Sequence, residues 1–148
     1  MSSPNRLPYA TTLLIRDHCL CLHVQRAARA LARRFDEAFR PLDLTNGQFS
    51  LLMSLNRPEP PHMGPVADLL AMDRTTLTAA IKPLERRGLV QVQKDKSDGR
   101  GRILILTEKG RELVGRAVPI WESIHAEVES RLGDKGPENL RAGLMAVS

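Results

Sequence analysis

Aromatic residues are scarce in this chain: three Phe, one Tyr and one Trp among 148 residues. That leaves too few rings for a stacking box around a planar ligand. Cysteine is scarcer still. Cys19 and Cys21, the only two, stand two positions apart and cannot build a disulfide framework, so a reducing, cytoplasmic setting is expected. Long apolar runs are missing as well. The cleanest near the N-terminus, Leu13-Leu14-Ile15, is closed at once by Arg16-Asp17, whereas a membrane span needs roughly 20 apolar residues. No charged-then-apolar leader is visible, so neither secretion nor a membrane partner is expected. Catalytic signatures are lacking too. His18, His23, His62 and His125 lie in no nucleophile, metal or phosphate-loop motif, and there is no G-x-S-x-G, no H-E-x-x-H and no glycine-rich loop opening a helix. Neither an enzyme nor a cofactor is expected.

What remains is ordinary globular composition, 42% hydrophobic and 26% charged, in a length that suits one domain. The charge is unevenly placed. Residues 74–102 hold Arg74, Lys82, Arg86, Arg87, Lys94, Lys96, Arg100 and Arg102 against only Glu85, Asp95 and Asp98, so this segment alone matches the net +5 of the whole chain. Residues 111–148 are slightly acidic. A local basic block attracts polyanions, and phosphate neutralisation supplies most non-specific nucleic-acid affinity; a solvated basic face is the alternative.

Residues 1–12 lack periodicity and read as a loose arm. From Leu14 to Arg40, apolar residues recur at steps of four and three (Leu20, Val24, Ala27, Leu31, Phe35, Ala38), predicting one helix, roughly 40 Å long, that Pro41 ends. A helix of that length seldom packs only within its own chain. Thr45 and Gln48 form a capping box for a second helix that buries Phe49, Leu52 and Leu55. Beyond the rigid connector Arg57-Pro58-Glu59-Pro60-Pro61, a short helix from about Pro65 to Met72 is predicted to bury Val66, Leu69 and Leu70. Asp73 caps the next helix, 74–87, which buries Leu77, Ile81 and Leu84 and stops at Gly88. Leu89–Gln93 then alternates, Lys94–Arg102 is polar with two glycines, and Ile103–Leu106 resumes a strand, which predicts a hairpin with a long basic tip. Thr107 opens a final helical stretch carrying Leu113, Ala117, Trp121, Ile124, Val128 and Leu132, with a kink expected at Pro119. After Gly133–Gly136, Leu140, Leu144 and Val147 mark a short terminal helix.

Three helices followed by a two-stranded hairpin is the winged helix-turn-helix order, a mainly α fold with a small β-hairpin wing. In that arrangement the second helix of the pair lies in the major groove with its N-terminal residues nearest the base edges. Arg74, Thr75, Thr76, Thr78, Ala79 and Lys82 fall on or beside the outward part of helix 74–87, and Arg86 lies near its far end. Arginine can pair with guanine through two bonds, and threonine offers a hydroxyl and a methyl. At the tip, Asp98 can pair with Arg100 or cap the turn, and Gly99 and Gly101 let the backbone turn sharply. Lys94, Lys96, Arg100 and Arg102 are then available for phosphates or the adjacent minor groove. The apolar stripes of 14–31 and 120–147 find no third layer in one chain to cover them.

The residues that carry a family likeness are Asp73-Arg74-Thr75-Thr76-Leu77-Thr78, Leu84-Glu85-Arg86-Arg87-Gly88-Leu89-Val90, Asp98-Gly99-Arg100-Gly101-Arg102 and Leu106-Thr107-Glu108-Lys109-Gly110. With Leu44-Thr45-x-x-Gln48-Phe49 they stand at the spacing of the MarR family of bacterial transcription regulators, which the chain resembles over about 15–145. The resemblance implies a single domain, 1–148, with a DNA-binding lobe at about 44–110 and dimerisation helices at about 13–40 and 111–148. It further implies a homodimer with interlocking N- and C-terminal helices, binding a pseudo-palindromic operator on double-stranded DNA and answering to an unknown small-molecule effector, as a repressor more often than an activator. Ala79 departs from the family, many of whose members carry arginine there.

His18-Cys19-Leu20-Cys21-Leu22-His23 places its potential ligands on different faces of one helix, so it does not converge on a zinc ion. The resemblance puts Cys21 where peroxide-sensing members carry their reactive cysteine, with Gln25 and Phe35 in place of their tyrosines. Redox sensing through Cys21, with Cys19 beside it, is therefore an alternative to ligand sensing, and packing in a helix interface is the plainer role of either thiol. A winged helix used only for protein contacts is the alternative of another class.

Overall fold

The computed structural model describes residues 6–97, 99 and 101–148. It divides into two compact units, one ending at Arg34 and the other running from Phe35 to Ser148.

The first unit corrects the expected single helix from Leu14. Helix α1 spans Tyr9–His18, inside the stretch read as a loose arm, with Pro8 at its N-cap; α2 spans Leu20–Phe39. Between them Cys19 is extended, at φ −67° and ψ 111°. No proline or glycine marks the break, so the apolar periodicity runs straight across it. The interruption is mended by side chains. The Leu22 N–H donates to Cys19 Sγ at 3.5 Å, which makes the thiol a cap for α2. His18 Nδ1 donates to the Leu14 carbonyl at 3.0 Å, and His23 Nδ1 to the Cys19 carbonyl at 2.7 Å. Leu14, Ile15, Leu20, Leu22, Val24 and Leu31 are all exposed.

The second unit begins with the last turn of α2, where Phe35 and Phe39 are buried. Their rings lie 6.0 Å apart, and Phe39 lies 5.0 Å from Phe49, so every phenylalanine in the chain joins one cluster. After a 3-10 turn at Arg40–Leu42, helix α3 spans Asn46–Ser54 and carries the expected capping box between Thr45 and Gln48. Helix α4 is Met63–Leu70, starting two residues before the expected Pro65, and α5 is Arg74–Arg86. Strands β1 (Val90–Lys94) and β2 (Arg102–Leu106) pair antiparallel, with Val90 opposite Leu106 and Lys94 opposite Arg102. Helix α6 spans Glu108–Ser130, running on through Pro119, and α7 spans Gly136–Ala146. Leu44, Leu51, Leu52, Leu55, Val66, Leu77, Leu84, Leu89, Leu104 and Ala117 build the core around the phenylalanines.

One expected core residue is misplaced. Leu69 is 59% exposed, and Ala67 takes its place inside. At about 100° per residue, Val66, Leu70 and Ala67 share one arc of α4 while Leu69 falls outside it. Helix α7 buries nothing: Leu140, Leu144, Met145 and Val147 are exposed, as is Leu132 before it. Among the described residues, no helix is long and apolar enough to cross a membrane.

Candidate nucleic-acid interface

The turn that aims α5 is built on a strained residue. Ala71, closing α4, adopts φ 52° and ψ 42°, the left-handed region that usually calls for glycine. Nothing in an alanine announces this. Its N–H and that of Met72 satisfy the Asp68 and Ala67 carbonyls at 3.2 and 2.9 Å, which ends α4 sharply. Asp73 then caps α5 as expected: its carboxylate accepts from the Thr76 N–H at 2.7 Å. Hydrogen bonds from the Thr76 backbone and then its hydroxyl hold the Asp73 carboxyl below the usual carboxylate range.

Leu77, Ile81 and Leu84 seat α5 on the core, which turns the opposite face outward. Arg74, Thr75, Thr76, Thr78, Ala79, Lys82 and Arg86 are all exposed there. The Thr78 hydroxyl is partly spent, since it donates to the Arg74 carbonyl at 2.8 Å and keeps its lone pairs and methyl for a partner. Pro83 lies inside the helix and withdraws the N–H that would pair with the Ala79 carbonyl. That helix continued through Pro83 because the core contacts of Ile81 and Leu84 hold it on either side.

The wing adds the rest. Lys94, Lys96 and Arg102 are exposed, and none of them is ion-paired with another described residue. Lys94 and Arg102 face each other directly across the ladder. Like charges in that position repel, and an anion between them relieves the repulsion. A cleft of about 320 Å³ joins wing to helix, lined by Met63, Thr78, Ile81, Lys82, Glu85, Val92 and Arg102. It brings together Thr78, Lys82 and Arg102 of the proposed contact residues, and adds Met63 and Glu85, which sequence reasoning did not place there. Gly99 is exposed with open space around it; Asp98 and Arg100 lie outside the described residues.

The tip is organised by Asp95, which the charge count had treated only as an acid among bases. Its Oδ1 accepts from the Ser97 hydroxyl at 2.7 Å and the Ser97 N–H at 3.0 Å, and its Oδ2 from His62 Nε2 at 2.5 Å. These bonds, Ser97 first and His62 after, hold the Asp95 carboxyl at about 2. A depressed value means the turn gains stability above the ordinary carboxylate value, near 3.9, and loses it as pH falls through the folded one. The Ser97 amide signal of the folded protein is therefore expected to move only as pH approaches about 2. A midpoint near that of a free aspartate would contradict it.

Beneath the interface, the start of α6 grips the end of α5. Thr107 Oγ1 donates to the Gly88 carbonyl at 2.6 Å while accepting from the Gly110 N–H at 3.0 Å. Lys109 Nζ donates to the Arg87 carbonyl at 2.9 Å. The L-T-x-x-G pattern is thus a clasp on the carbonyls just past α5, those of its C-cap Arg87 and of Gly88. Lys109 also lines a cleft of about 380 Å³ with Leu42, Arg87, Leu89, Glu112, Leu113 and Arg116. In the first unit, Cys21 is exposed and accepts from Gln25 Nε2 at 3.2 Å, and no described His, Cys, Asp or Glu residues gather as a metal site.

Known proteins share this arrangement. The model of the MarR family matches residues 44–101. The transcriptional regulator MosR of M. tuberculosis, solved in complex with DNA, is 36% identical and superposes with a TM-score of 0.80 over 88% of this chain and 93% of its own. CouR, a transcriptional repressor solved on a 23-mer DNA duplex, is 26% identical with a TM-score of 0.75, covering 97% of this chain and 98% of its own. It has also been solved with p-coumaroyl-CoA bound, and comes from Rhodococcus jostii RHA1. The regulator TtmR of Methylorubrum extorquens is 34% identical over 100 residues, 68% of this chain. The chain spans about half of TtmR's length, 51%.

Proposed function

The chain belongs to the MarR family, and from that premise we propose that it is a sequence-specific, duplex-DNA-binding transcription regulator, working as a homodimeric repressor released by a small acidic effector. The observation that carries the reading is the opposed pair Lys94 and Arg102 beside the exposed face of α5. Two cations held face to face, neither ion-paired with another described residue, are a cost to a free hairpin and an asset against phosphate. The reading does not ask for catalysis: it is a regulator, not an enzyme.

The effector side rests on the cleft at the clasp. Arg87, Lys109 and Arg116 outnumber Glu112 there, over an apolar floor of Leu42, Leu89 and Leu113, which suits an amphipathic acid. Lys109 is shared between that cleft and the Arg87 carbonyl. An acid that draws Lys109 away loosens the end of the recognition helix. Release by a ligand is favoured over release by thiol oxidation because the cleft at the clasp offers a site for an acid, whereas Cys21, among the described residues, has the Gln25 amide as its hydrogen-bond partner.

The helix and the wing should fail differently. Arg74 stands one residue after the cap of α5, within reach of base edges; Arg102 lies on the hairpin, facing the flanking backbone. Losing a base contact costs roughly 1–3 kcal/mol per half-site and relaxes specificity, whereas losing a phosphate contact weakens all sequences alike and flattens the salt slope by about one unit. Arg74→Ala is therefore expected to hurt a duplex selected from a random pool more than random DNA. Arg102→Ala should lower both equally. Titrations of both variants on both DNAs across a salt series check this, and a selected-to-random ratio unchanged by Arg74→Ala would refute the placement of α5 against bases.

A further inference from the structure

The wing is held from outside itself. His62 stands at the N-cap of α4, yet its side chain makes no hydrogen bond to that helix. The connector instead runs along the outer edge of β2: the Leu104 N–H donates to the Pro61 carbonyl at 2.9 Å, and His62 bridges to Ile103. From that edge the imidazole passes over Gly101 and donates from Nε2 to the Asp95 carboxylate, 33 residues away in sequence, at 2.5 Å. The crossing is close: a Cβ at Gly101 would sit 3.2 Å from the ring's Cδ2, so the ring would have to give by a few tenths of an ångström. The Asp95 N–H returns to the Gly101 carbonyl at 2.8 Å. Connector, β2 and the end of β1 are thereby stitched together at the base of the basic tip.

The geometry points to His62 as a positioning residue of the DNA interface: through Asp95 it pins the wing to the connector and sets where Lys94, Lys96 and Arg102 meet the duplex. This rests on the DNA-binding reading above. A two-stranded ribbon is marginal by itself and its tip splays readily. A charge-assisted bond restrains it only if the donor is itself fixed. Here it is, since Pro58, Pro60 and Pro61 stiffen the connector and Pro61 is buried. A carboxylate only accepts, so Nε2 is the donor in this bond.

The test compares the wild type with His62→Phe, which keeps a ring but no donor, His62→Gln, which restores a donor, and Asp95→Asn. The duplex is one that the wild-type protein selects from a random pool. His62→Phe is expected to weaken binding about tenfold, to leave thermal unfolding of the chain nearly unmoved, and to speed amide exchange at Ser97 without DNA present. His62→Gln should recover most of the loss. Combining His62→Phe with Asp95→Asn should cost little more than the larger single loss, since both break the same bond. Full additivity of those two, or unchanged exchange at Ser97, would overturn the pin while leaving DNA binding intact. A wild type that selects no duplex at any salt would overturn the DNA-binding reading, and in that case the exchange result stands alone to decide whether His62 holds the wing.

Discussion

Aspartate at both Leu140 and Leu144 is expected to leave the chain monomeric and to remove most of its affinity for duplex DNA. The two leucines are 46% and 39% exposed on α7, which buries no residue of its own. Covering a leucine side chain is worth about 1.5–3 kcal/mol, so a second copy laid on this face gains what one chain forgoes. Two carboxylates placed there would have to be desolvated on assembly, and that cost exceeds the gain. The fold itself is not at risk, because neither side chain reaches the core. Binding suffers for a separate reason. A dimer engages two half-sites at once, and the linked second contact multiplies affinity by about 10²–10⁴. The double variant should therefore sediment as one chain at micromolar concentration and bind a selected duplex that much more weakly. Its circular dichroism should match the parent's. A wild type that sediments as a stable monomer would sink the argument, as would a variant that stays dimeric.

What could be read from the residues was what local chemistry writes along the chain. The Thr45–Gln48 box and the Asp73 cap are each a donor and an acceptor three positions apart, and both stand where expected. The alternation of Leu89–Gln93 and the apolar run Ile103–Leu106 placed the hairpin to within a residue. The break at Cys19 was illegible because its repair uses a thiol and two imidazoles, none of which punctuates a helix by propensity. Ala71 conceals a left-handed turn behind a good helix former. His62 and Asp95 meet only because the connector, β2 and β1 lie side by side, so no spacing within either segment points to the other. Lys82 and Arg102 were legible as charges, and the structure sets both beside one cleft. Glu85 beside them was not, because a lone acid in a basic block carries no signature of where it points.

Gly110 shows the same limit inside a motif, and it predicts the largest loss of stability from a single methyl group. The pattern L-T-x-x-G contains it, yet only the packing says why. A Cβ on Gly110 would lie 2.3 Å from the Leu89 carbonyl oxygen and 2.7 Å from Leu106 Cδ1. The leucine tip can rotate away; the carbonyl cannot. It already accepts the Thr107 N–H at 3.1 Å, and Leu89 is 1% exposed. Relief therefore requires the first turn of α6 to lift by about an ångström, which strips Thr107 from Gly88 and Lys109 from Arg87. Against this stands the intrinsic gain of alanine over glycine in a helix, about 1 kcal/mol. Gly115, exposed in the same helix with nothing within 4 Å of its added carbon, isolates that gain. Overpacking commonly costs 1–3 kcal/mol, and the two clasp bonds, both solvent-exposed, add roughly 0.5 kcal/mol each when lost. Gly110→Ala should thus destabilise by about 1–3 kcal/mol net, while Gly115→Ala stabilises by up to about 1 kcal/mol. The signs should be opposite in urea denaturation of otherwise identical chains. Because the clasp holds the end of α5, Gly110→Ala should also weaken duplex binding under conditions where the variant is still folded. Equal and positive effects at the two glycines would mean that α6 approaches Leu89 less closely than the structure shows, and that the motif holds the recognition helix by some other contact.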